Sequence, residues 1–330
     1  MTRFLLLLLT ALFLLGGCSA KKYYKPAQDT TTLRYQNELP AAIRTIALDG
    51  ATLADGSIIT MRGLYASLLK PEESLIAQNN DYLIASDREG VTLYNTLGEV
   101  KYRIETTAKA LSAETNGDMI ALLLADNSLA LYSLQDQSIL FKSKQKPTES
   151  IASDVAKPIF FDELLIFPTL DGKVVVVDKR SKKELRDFIV SSKPYFNNII
   201  HLSIQGQLIY AATKYKLIAI SPRSVQEFTA DINTLLPYAG GIYLSTVDGR
   251  VIQLDTALVT VNERKFPFAG LISLSLNPKG LYAVERTGYV IKLQPDLSEY
   301  TLYEMLDTID LPFFASDTTL YYKHRALVLP

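Results

Sequence analysis

The sequence contains few side chains of the types that act as nucleophiles or metal ligands. Among 330 residues there is one cysteine, Cys18, there are two histidines, His201 and His324, and there is no tryptophan. One cysteine cannot form an internal disulfide or a cysteine-rich zinc site, and two histidines leave little material for a multi-histidine metal centre. His201 lies in an apolar segment and His324 between two basic residues. We therefore predict a hydrogen-bonded strand histidine and an exposed turn histidine.

The acidic residues offer no better catalytic group. Asp171, Asp248 and Asp255 could serve as acids in hydrolysis, but they stand in turns and at strand ends, where aspartate is common for structural reasons. We find no glycine-rich phosphate loop and no nucleophilic cysteine with a basic neighbour. A net charge of -1 argues against a nucleic-acid partner, and 48% hydrophobic residues indicate a folded globular protein. The sequence predicts no catalytic residue, no metal site and no cofactor.

The N-terminus reads as a secretory signal. Arg3 precedes an apolar run from Phe4 to Leu15, which is too short to cross a bilayer as a helix. Gly16, Gly17 and Cys18 follow, and this pattern resembles the bacterial lipobox. The resemblance implies cleavage before Cys18 and acylation of that residue, and Ser19 after it resembles an outer-membrane address. The alternatives are an ordinary signal peptide with an incidental cysteine, or a retained membrane anchor. We expect a signal peptide over residues 1–17 and a lipid-anchored, flexible tether over 18–40.

The rest of the chain, residues 41–330, repeats one unit. A short apolar strand, a polar turn and a second strand recur in seven clear copies, and several turns contain Asp-Gly. The second strand of each copy ends at Asn95, Ser133, Asp178, Ser221, Asp255, Gln294 and Pro330. The average spacing of about 39 residues is close to the period of propeller blades. We therefore predict an all-β fold, a β-propeller of four-stranded blades.

The number of blades and the closure of the ring are less firmly indicated. The copies give seven blades, and a strand pair within residues 43–53 would make an eighth. The last copy ends at Pro330 without a fourth strand. We predict that an N-terminal strand, Gly56–Arg62, pairs into the last blade, because closure removes the unpaired sheet edges that promote aggregation.

The repeat also resembles a known family. The segments from Asp171 to Asp178 and from Asp248 to Asp255 resemble the repeat of quinoprotein-type (PQQ-like) β-propellers. Together with the lipobox, the chain is similar to the propeller lipoprotein of the outer-membrane β-barrel assembly machinery. The resemblance implies a non-catalytic, lipid-anchored scaffold that faces the periplasm and binds envelope proteins, including an outer-membrane assembly complex. The alternatives are an accessory subunit of another envelope complex, or a propeller hydrolase, lyase or redox enzyme. Quinone chemistry is disfavoured because the chain lacks tryptophan and adjacent cysteines.

The turns between the second and third strands of each blade predict a partner-binding face. In a propeller these turns emerge together, and here the first three copies are net acidic while the last four are net basic. The basic turns contain Lys214, Lys216, Arg250, Arg286, Lys323 and Arg325. We predict that this half of the ring meets an acidic segment of a protein partner. The alternative is that these charges only solvate the loops.

Proline followed by aromatic residues also recurs near the start of the innermost strand. The aromatic members of this set are Phe160, Phe161, Tyr195, Phe196, Phe268, Phe313 and Phe314. Exposed aromatics would be good interface anchors. Their regular place in the repeat favours packing between neighbouring blades instead.

Overall fold

The structure is a computed structural model that describes residues 23–66 and 68–330. Cys18 and the expected signal peptide lie outside the described residues. The described chain is all-β, and its strands form eight sheets. Within each sheet, consecutive strands pair antiparallel, so every blade is built from short hairpins, and two of the sheets gain one additional strand from the N-terminal region. The eight sheets are the blades of a β-propeller.

Two short strands precede the first blade. They are β1 (Thr31–Thr32) and β2 (Asn37–Glu38). Blade 1 contains β3 (Ile43–Ala47), β4 (Gly50–Leu53), β5 (Ile58–Thr60) and β6 (Gly63–Tyr65). Blade 2 contains β7 (Ser74–Gln78), β8 (Tyr82–Ser86), β9 (Gly90–Asn95) and β10 (Val100–Glu105). Blade 3 contains β11 (Ala110–Thr115), β12 (Met119–Leu124), β13 (Ser128–Ser133) and β14 (Ile139–Lys144). Blade 4 contains β15 (Ile159–Phe161), β16 (Leu164–Pro168), β17 (Lys173–Asp178) and β18 (Lys183–Ile189).

The second half of the ring has the same plan. Blade 5 contains β19 (His201–Gln205), β20 (Leu208–Ala212), β21 (Lys216–Ile220) and β22 (Val225–Thr229). Blade 6 contains β23 (Ile232–Tyr238), β24 (Gly241–Thr246), β25 (Arg250–Asp255) and β26 (Thr260–Lys265). Blade 7 contains β27 (Leu271–Asn277), β28 (Gly280–Glu285), β29 (Tyr289–Leu293) and β30 (Tyr300–Glu304). Blade 8 contains β31 (Phe313–Ala315), β32 (Thr319–Tyr322) and β33 (Arg325–Val328).

The core lies between the blades. Each of the eight boundaries between neighbouring blades has its own cluster of buried apolar side chains. On a strand, successive side chains point to opposite faces of the sheet. Accordingly, Val174 packs toward blade 5 while Val175 and Val177 pack toward blade 3. Because both faces of a blade are covered, its inner strands are continuously apolar, and the sequence shows uninterrupted runs instead of strict alternation.

The ring closes through an N-terminal strand, but not through the segment expected. β2 pairs antiparallel with β33, with Asn37 opposite Ala326 and Glu38 opposite Arg325, and so supplies the fourth strand of blade 8. The proposed closing strand, Gly56–Arg62, is wrong, because Ile58–Thr60 pairs with β4 and forms the third strand of blade 1. Residues 43–53 do form a strand pair there. The propeller therefore has eight blades, which is the alternative that the sequence left open.

Residues 23–39, which we call the N-terminal arm, lie against the propeller where a tether was expected. Tyr24 is 7% exposed and packs with the cluster between blades 6 and 7. Thr31 and Thr32 pair in parallel with the end of β30, so blade 7 has a fifth strand. The arm thus covers the outer edge of blade 7 and completes blade 8.

Candidate functional site

One face of the ring brings together the features that could bind a partner. We call it the turn face, and it carries the turns between second and third strands and the linkers between blades. These loops are tied to one another by backbone hydrogen bonds. Phe266 donates to Gly249, Arg286 to Gly270, and Met305 to Gly288, with donor–acceptor distances of 2.7–2.9 Å. The turns of blades 6 and 7 and the linkers that follow these two blades therefore form one connected surface.

Two of the six predicted cations lie beside carboxylates of their own blade. The Nζ of Lys216 is 2.7 Å from a Glu227 carboxylate oxygen, and the Nε of Arg250 is 3.0 Å from Asp248. Glu263 is a second, longer partner of Arg250, at 3.6 Å. Glu227 and Glu263 lie on outer strands, so a charge count restricted to the turns omitted them, whereas Asp248 lies in the turn and was counted.

Lys323 and Arg325 share one carboxylate. Their side-chain nitrogens lie 3.0 Å and 2.6 Å from the two oxygens of Asp307, in the linker between blades 7 and 8. Burial acts to raise the pKa of Asp307, but the hydrogen bond from Lys323 and the charges of Lys323 and Arg325 outweigh it and lower that pKa. Arg325 also lies over the ring of Tyr35, 4.1 Å from its centre. This pair therefore stabilises the arm and the last linker.

The remaining two cations, Lys214 and Arg286, line the same cavity at the mouth of the central channel. This cavity of about 330 Å³ is also lined by Asp154, His201 and Asn233. The Nζ of Lys214 donates to the backbone oxygen of Asn233 at 2.7 Å and lies 3.4 Å from Asp154. Among the described residues, no carboxylate lies within ion-pair distance of Arg286. The structure thus brings together two of the six predicted residues at the channel.

His201 and His324 lie in the environments that the sequence predicts. His201 is on β19 at the channel mouth, with its Nε2 2.8 Å from the hydroxyl of Ser203. Burial lowers the pKa of His201 to about 4, so the imidazole is neutral near pH 7. His324 is an exposed residue of the last hairpin turn. Nowhere in residues 23–66 and 68–330 do three or more His, Cys, Asp or Glu side chains cluster as metal ligands would.

The central channel is crossed by a segment of the chain, residues 146–157. Ile199 separates this segment from blade 4, because its amide donates to Thr169 and its carbonyl accepts from Ala156. The segment then reaches blades 1 and 3. There the Nζ of Lys157 lies 2.9 Å from Asp49 in blade 1 and 3.1 Å from Glu114 in blade 3. The channel is therefore divided into cavities of about 330 Å³ each.

Two of the recurring aromatic motifs are exposed, although packing between blades was favoured. Tyr195 and Phe196, in the linker between blades 4 and 5, are 54% and 50% exposed, and Phe268, between blades 6 and 7, is 58% exposed. Phe196 and Phe268 also have positive φ angles of 50° and 65°, a state that costs a bulky residue about 1–3 kcal/mol. Phe314, by contrast, is buried at the boundary between blades 8 and 1, as predicted. One sequence signal for this exposure was overlooked. Tyr195 and Phe196 directly precede two asparagines, which indicates a loop between blades and not a core strand.

A cleft of about 490 Å³ lies beside Tyr195, and we call it the blade 4 cleft. Its lining includes three lysines, two acidic residues, Tyr195 and one buried amide. These are Lys146, Lys173, Lys193, Glu149, Asp171, Tyr195 and Asn197. Asn197 is 3% exposed and donates from its Nδ2 to the backbone oxygens of Asp171 and Ser191. Its Oδ1 is buried and accepts no hydrogen bond from any described residue. A buried acceptor without a partner is costly, and this oxygen has almost no exposed surface through which an outside partner could reach it.

No helix of the described chain has the length and apolar character needed to cross a membrane.

Comparison with known proteins gives one close relationship and a shared fold. No family model matches the chain. The plasminogen-binding protein PgbB of Helicobacter pylori strain J99 is 30% identical, over 97% of this chain and 69% of that protein, and PgbB of strain 26695 is also 30% identical. Among solved structures, BamB from Moraxella catarrhalis matches with a TM-score of 0.67 and 14% identity, covering 90% of this chain and 100% of that one. The C-terminal WD40 domain of Sif2 matches with a TM-score of 0.66, 13% identity, and coverage of 92% and 100%. These likenesses confirm the β-propeller.

Proposed function

The chain belongs to the family of the plasminogen-binding protein PgbB, and on this premise we propose that it is a lipid-anchored scaffold that binds proteins at the cell envelope. The observation that carries the proposal is the blade 4 cleft with Tyr195 and Phe196 at its side. Large exposed aromatics held by a rigid frame are the residues that most often dominate binding energy at protein interfaces. Here the frame is a closed ring, so the loops keep their positions without a partner.

The linker that carries these aromatics is held at both ends. The amide of Phe196 donates to the backbone oxygen of Ser150 at 3.3 Å, and the hydroxyl of Tyr215 donates to the backbone oxygen of Tyr195 at 3.2 Å. The ammonium of Lys193 lies 5.9 Å from the centre of the Tyr215 ring. A preformed site loses less conformational entropy on binding than a mobile one.

The lining of the cleft indicates the chemistry of the partner segment. Lys146 and Lys193 favour a carboxylate on a partner segment, and Tyr195 offers an apolar wall. We infer that the cleft takes an acidic segment of a protein. The acidic partner expected from the sequence is thus retained, but its principal contact moves from blades 5–8 to the blade 4 cleft.

Two partners are candidates on separate grounds. The fold shared with BamB supports an outer-membrane assembly complex, and the name of the Helicobacter relatives supports plasminogen. Both would be bound by the scaffold without catalysis. Acylation of Cys18 would hold the propeller at the outer membrane, facing the periplasm. Retention at the inner membrane or exposure on the cell surface would be distinguished by fractionation and by protease treatment of intact cells.

The test compares two sets of variants of the full acylated chain in detergent. Proteins from solubilised outer membranes are captured and identified by mass spectrometry, and plasminogen binding is measured by biolayer interferometry. Y195A/F196A should weaken the captured interaction by about tenfold or more, as loss of interface anchors does. L97A is the matched control, because Leu97 is 82% exposed but lies in a turn on the opposite face. Equal binding by Y195A/F196A and wild type, or an equal loss in L97A, would contradict the proposed site.

A further inference from the structure

The N-terminal arm fixes the point at which the chain leaves the propeller. The Tyr24 ring packs edge-to-face against Phe266 and Tyr289, with ring centres 6.4 Å and 5.6 Å away. Phe266 follows the last strand of blade 6, and Tyr289 follows the turn between the second and third strands of blade 7. Both positions are at the turn face. The chain therefore departs from the rim of that face, at the boundary of blades 6 and 7.

The distance from this point to Cys18 is short whatever conformation the intervening residues adopt. Cys18 is five residues before Tyr23 in the sequence. Five residues span at most ~18 Å when fully extended. If Cys18 is acylated, as proposed above, its sulfur lies at the bilayer surface. The rim of blades 6 and 7 must then stay within about 18 Å of that surface, whereas the far side of the ring has no such constraint.

Apolar side chains are exposed along the same rim. Tyr23 is 60% exposed, Val247 65%, Phe268 58% and Leu306 66%. They occupy the arm, the turn of blade 6, and the linkers on either side of blade 7. The hydrogen bonds that connect these loops place them on one continuous surface. Single exposed apolar residues are ordinary, but a group of them next to a lipid anchor has an obvious apolar neighbour in the bilayer.

Basic side chains accompany these apolar ones. Lys25 and Arg34 of the arm are exposed, and Lys265, at the end of blade 6, keeps 53% of its side-chain surface exposed while its Nζ lies 3.1 Å from Asp248. Aromatic and aliphatic side chains next to lysine and arginine are the composition of surfaces that lie in the interface of a bilayer. Each basic residue near an anionic surface adds about 1 kcal/mol of attraction.

We propose that the rim formed by Tyr23, Val247, Phe268 and Leu306 rests in the headgroup layer of the membrane that holds acylated Cys18. This inference rests on the proposed lipid anchor. The propeller then stands tilted, with blades 6–8 at the bilayer and the blade 4 cleft on the side that points away from it. The rim contacts lipid and not a protein. The docked arm determines which part of the propeller faces the membrane.

The absence of tryptophan from the sequence makes the proposal directly measurable. F268W and F196W each introduce a single fluorescent reporter into the full acylated chain. They are matched, because both positions are about half exposed, lie in linkers of the turn face and have positive φ angles. The proteins are reconstituted into vesicles of phosphatidylethanolamine and phosphatidylglycerol with brominated acyl chains as quenchers, and flotation reports membrane attachment.

We expect the F268W tryptophan to shift its emission to the blue and to be quenched several-fold more strongly than the F196W tryptophan. V247W, in a different loop of the same rim, should behave as F268W does, which guards against a folding defect in one variant. Equal quenching of F268W and F196W in floating vesicles overturns the orientation but leaves the anchor intact. A blue shift that is seen with native membranes but not with pure lipid vesicles also overturns the proposal. In that case a membrane protein, and not lipid, would cover the rim. Failure of wild-type protein to float, with C18S as the reference, refutes the anchor and with it this inference.

Discussion

Two sectors of the turn face carry the same unusual element, an exposed phenylalanine with a positive φ angle. Phe196, between blades 4 and 5, stands near a cleft with a buried asparagine and several lysines. Phe268, between blades 6 and 7, stands near the point where the N-terminal arm docks. The local backbone is similar, but the surroundings differ in polarity and in distance from the proposed anchor. The comparison teaches that the function of an exposed aromatic residue depends on its neighbours. Equivalent linkers of one propeller can therefore contact a protein at one sector and a membrane at another.

The largest effect is expected from removing the N-terminal arm, which docks beside Phe268 and not beside Phe196. Replacing residues 24–38 by a Gly/Ser segment of equal length keeps the reach to Cys18 but removes β1, β2 and the Tyr24 contact. Blade 8 then has three strands and exposes the edge of β33, so the midpoint of thermal unfolding should fall by on the order of 10 °C. The F268W and F196W signals on vesicles should also become alike. A protein that melts as wild type does would show that β2 does not close the ring.

A smaller effect is expected from one contact within the arm. Tyr24 is 7% exposed, so Y24A removes a buried aromatic and should cost about 3 kcal/mol of unfolding free energy. The adjacent Tyr23 is 60% exposed, and Y23A should change stability by less than about 0.5 kcal/mol. Denaturant unfolding of both variants gives the comparison. Equal costs for the two tyrosines would contradict the docking of the arm.

A pH effect is expected at the channel mouth, between the two sectors. Burial lowers the pKa of His201 from its ordinary value near 6.5 to about 4 in the folded protein. The unfolded chain therefore binds the proton more tightly, and stability falls as the pH drops from about 6.5 to about 4. The loss attributable to His201 is at most about 3.4 kcal/mol. H201Q should melt with a flatter dependence on pH across this window. An unchanged slope would mean that His201 titrates normally in the folded state.

The sequence was sufficient where the pattern is local. Asp-Gly turns and apolar runs predicted the hairpins of blades 2 to 8, because a hairpin depends on residues that adjoin one another. Closure depends on β2, whose two residues, Asn37 and Glu38, are too few to show a period. Ile199 inserts between blade 4 and residues 146–157 by bonding to Thr169 and Ala156, which are 30 and 43 residues away in the sequence, and no local signal reports such contacts.

The binding surface was predicted less well for a related reason. Summing charges over the turns identified Lys214 and Arg286 at the channel mouth, but it also included cations whose partners lie on outer strands or in the next linker. Likewise, the Pro–aromatic motif gives a buried ring in Phe314 and an exposed one in Phe268. The difference depends on where the motif falls relative to the innermost strand, which is a property of the folded ring.

The smallest effect is expected on the rate of association with the partner. Two pairs of charge-removing variants test whether this rate depends on the net charge of the turn face or on the charges at the channel mouth. K214Q/R286Q and K216Q/R250Q each remove two positive charges from the turn face, so they are equivalent for a partner that responds only to net charge. Lys214 and Arg286 line the channel mouth, where, among the described residues, the one ion pair is the 3.4 Å contact of Lys214 with Asp154. Lys216 and Arg250, by contrast, are engaged by Glu227, Asp248 and Glu263. We expect K214Q/R286Q to slow association with the captured partner by a few-fold at low salt and K216Q/R250Q to have less effect. The difference should shrink at physiological salt, where the screening length is about 8 Å. Stopped-flow association across a salt series measures it. If both variants slow binding equally at every salt concentration, steering depends on overall charge, and the channel mouth has no special part in it.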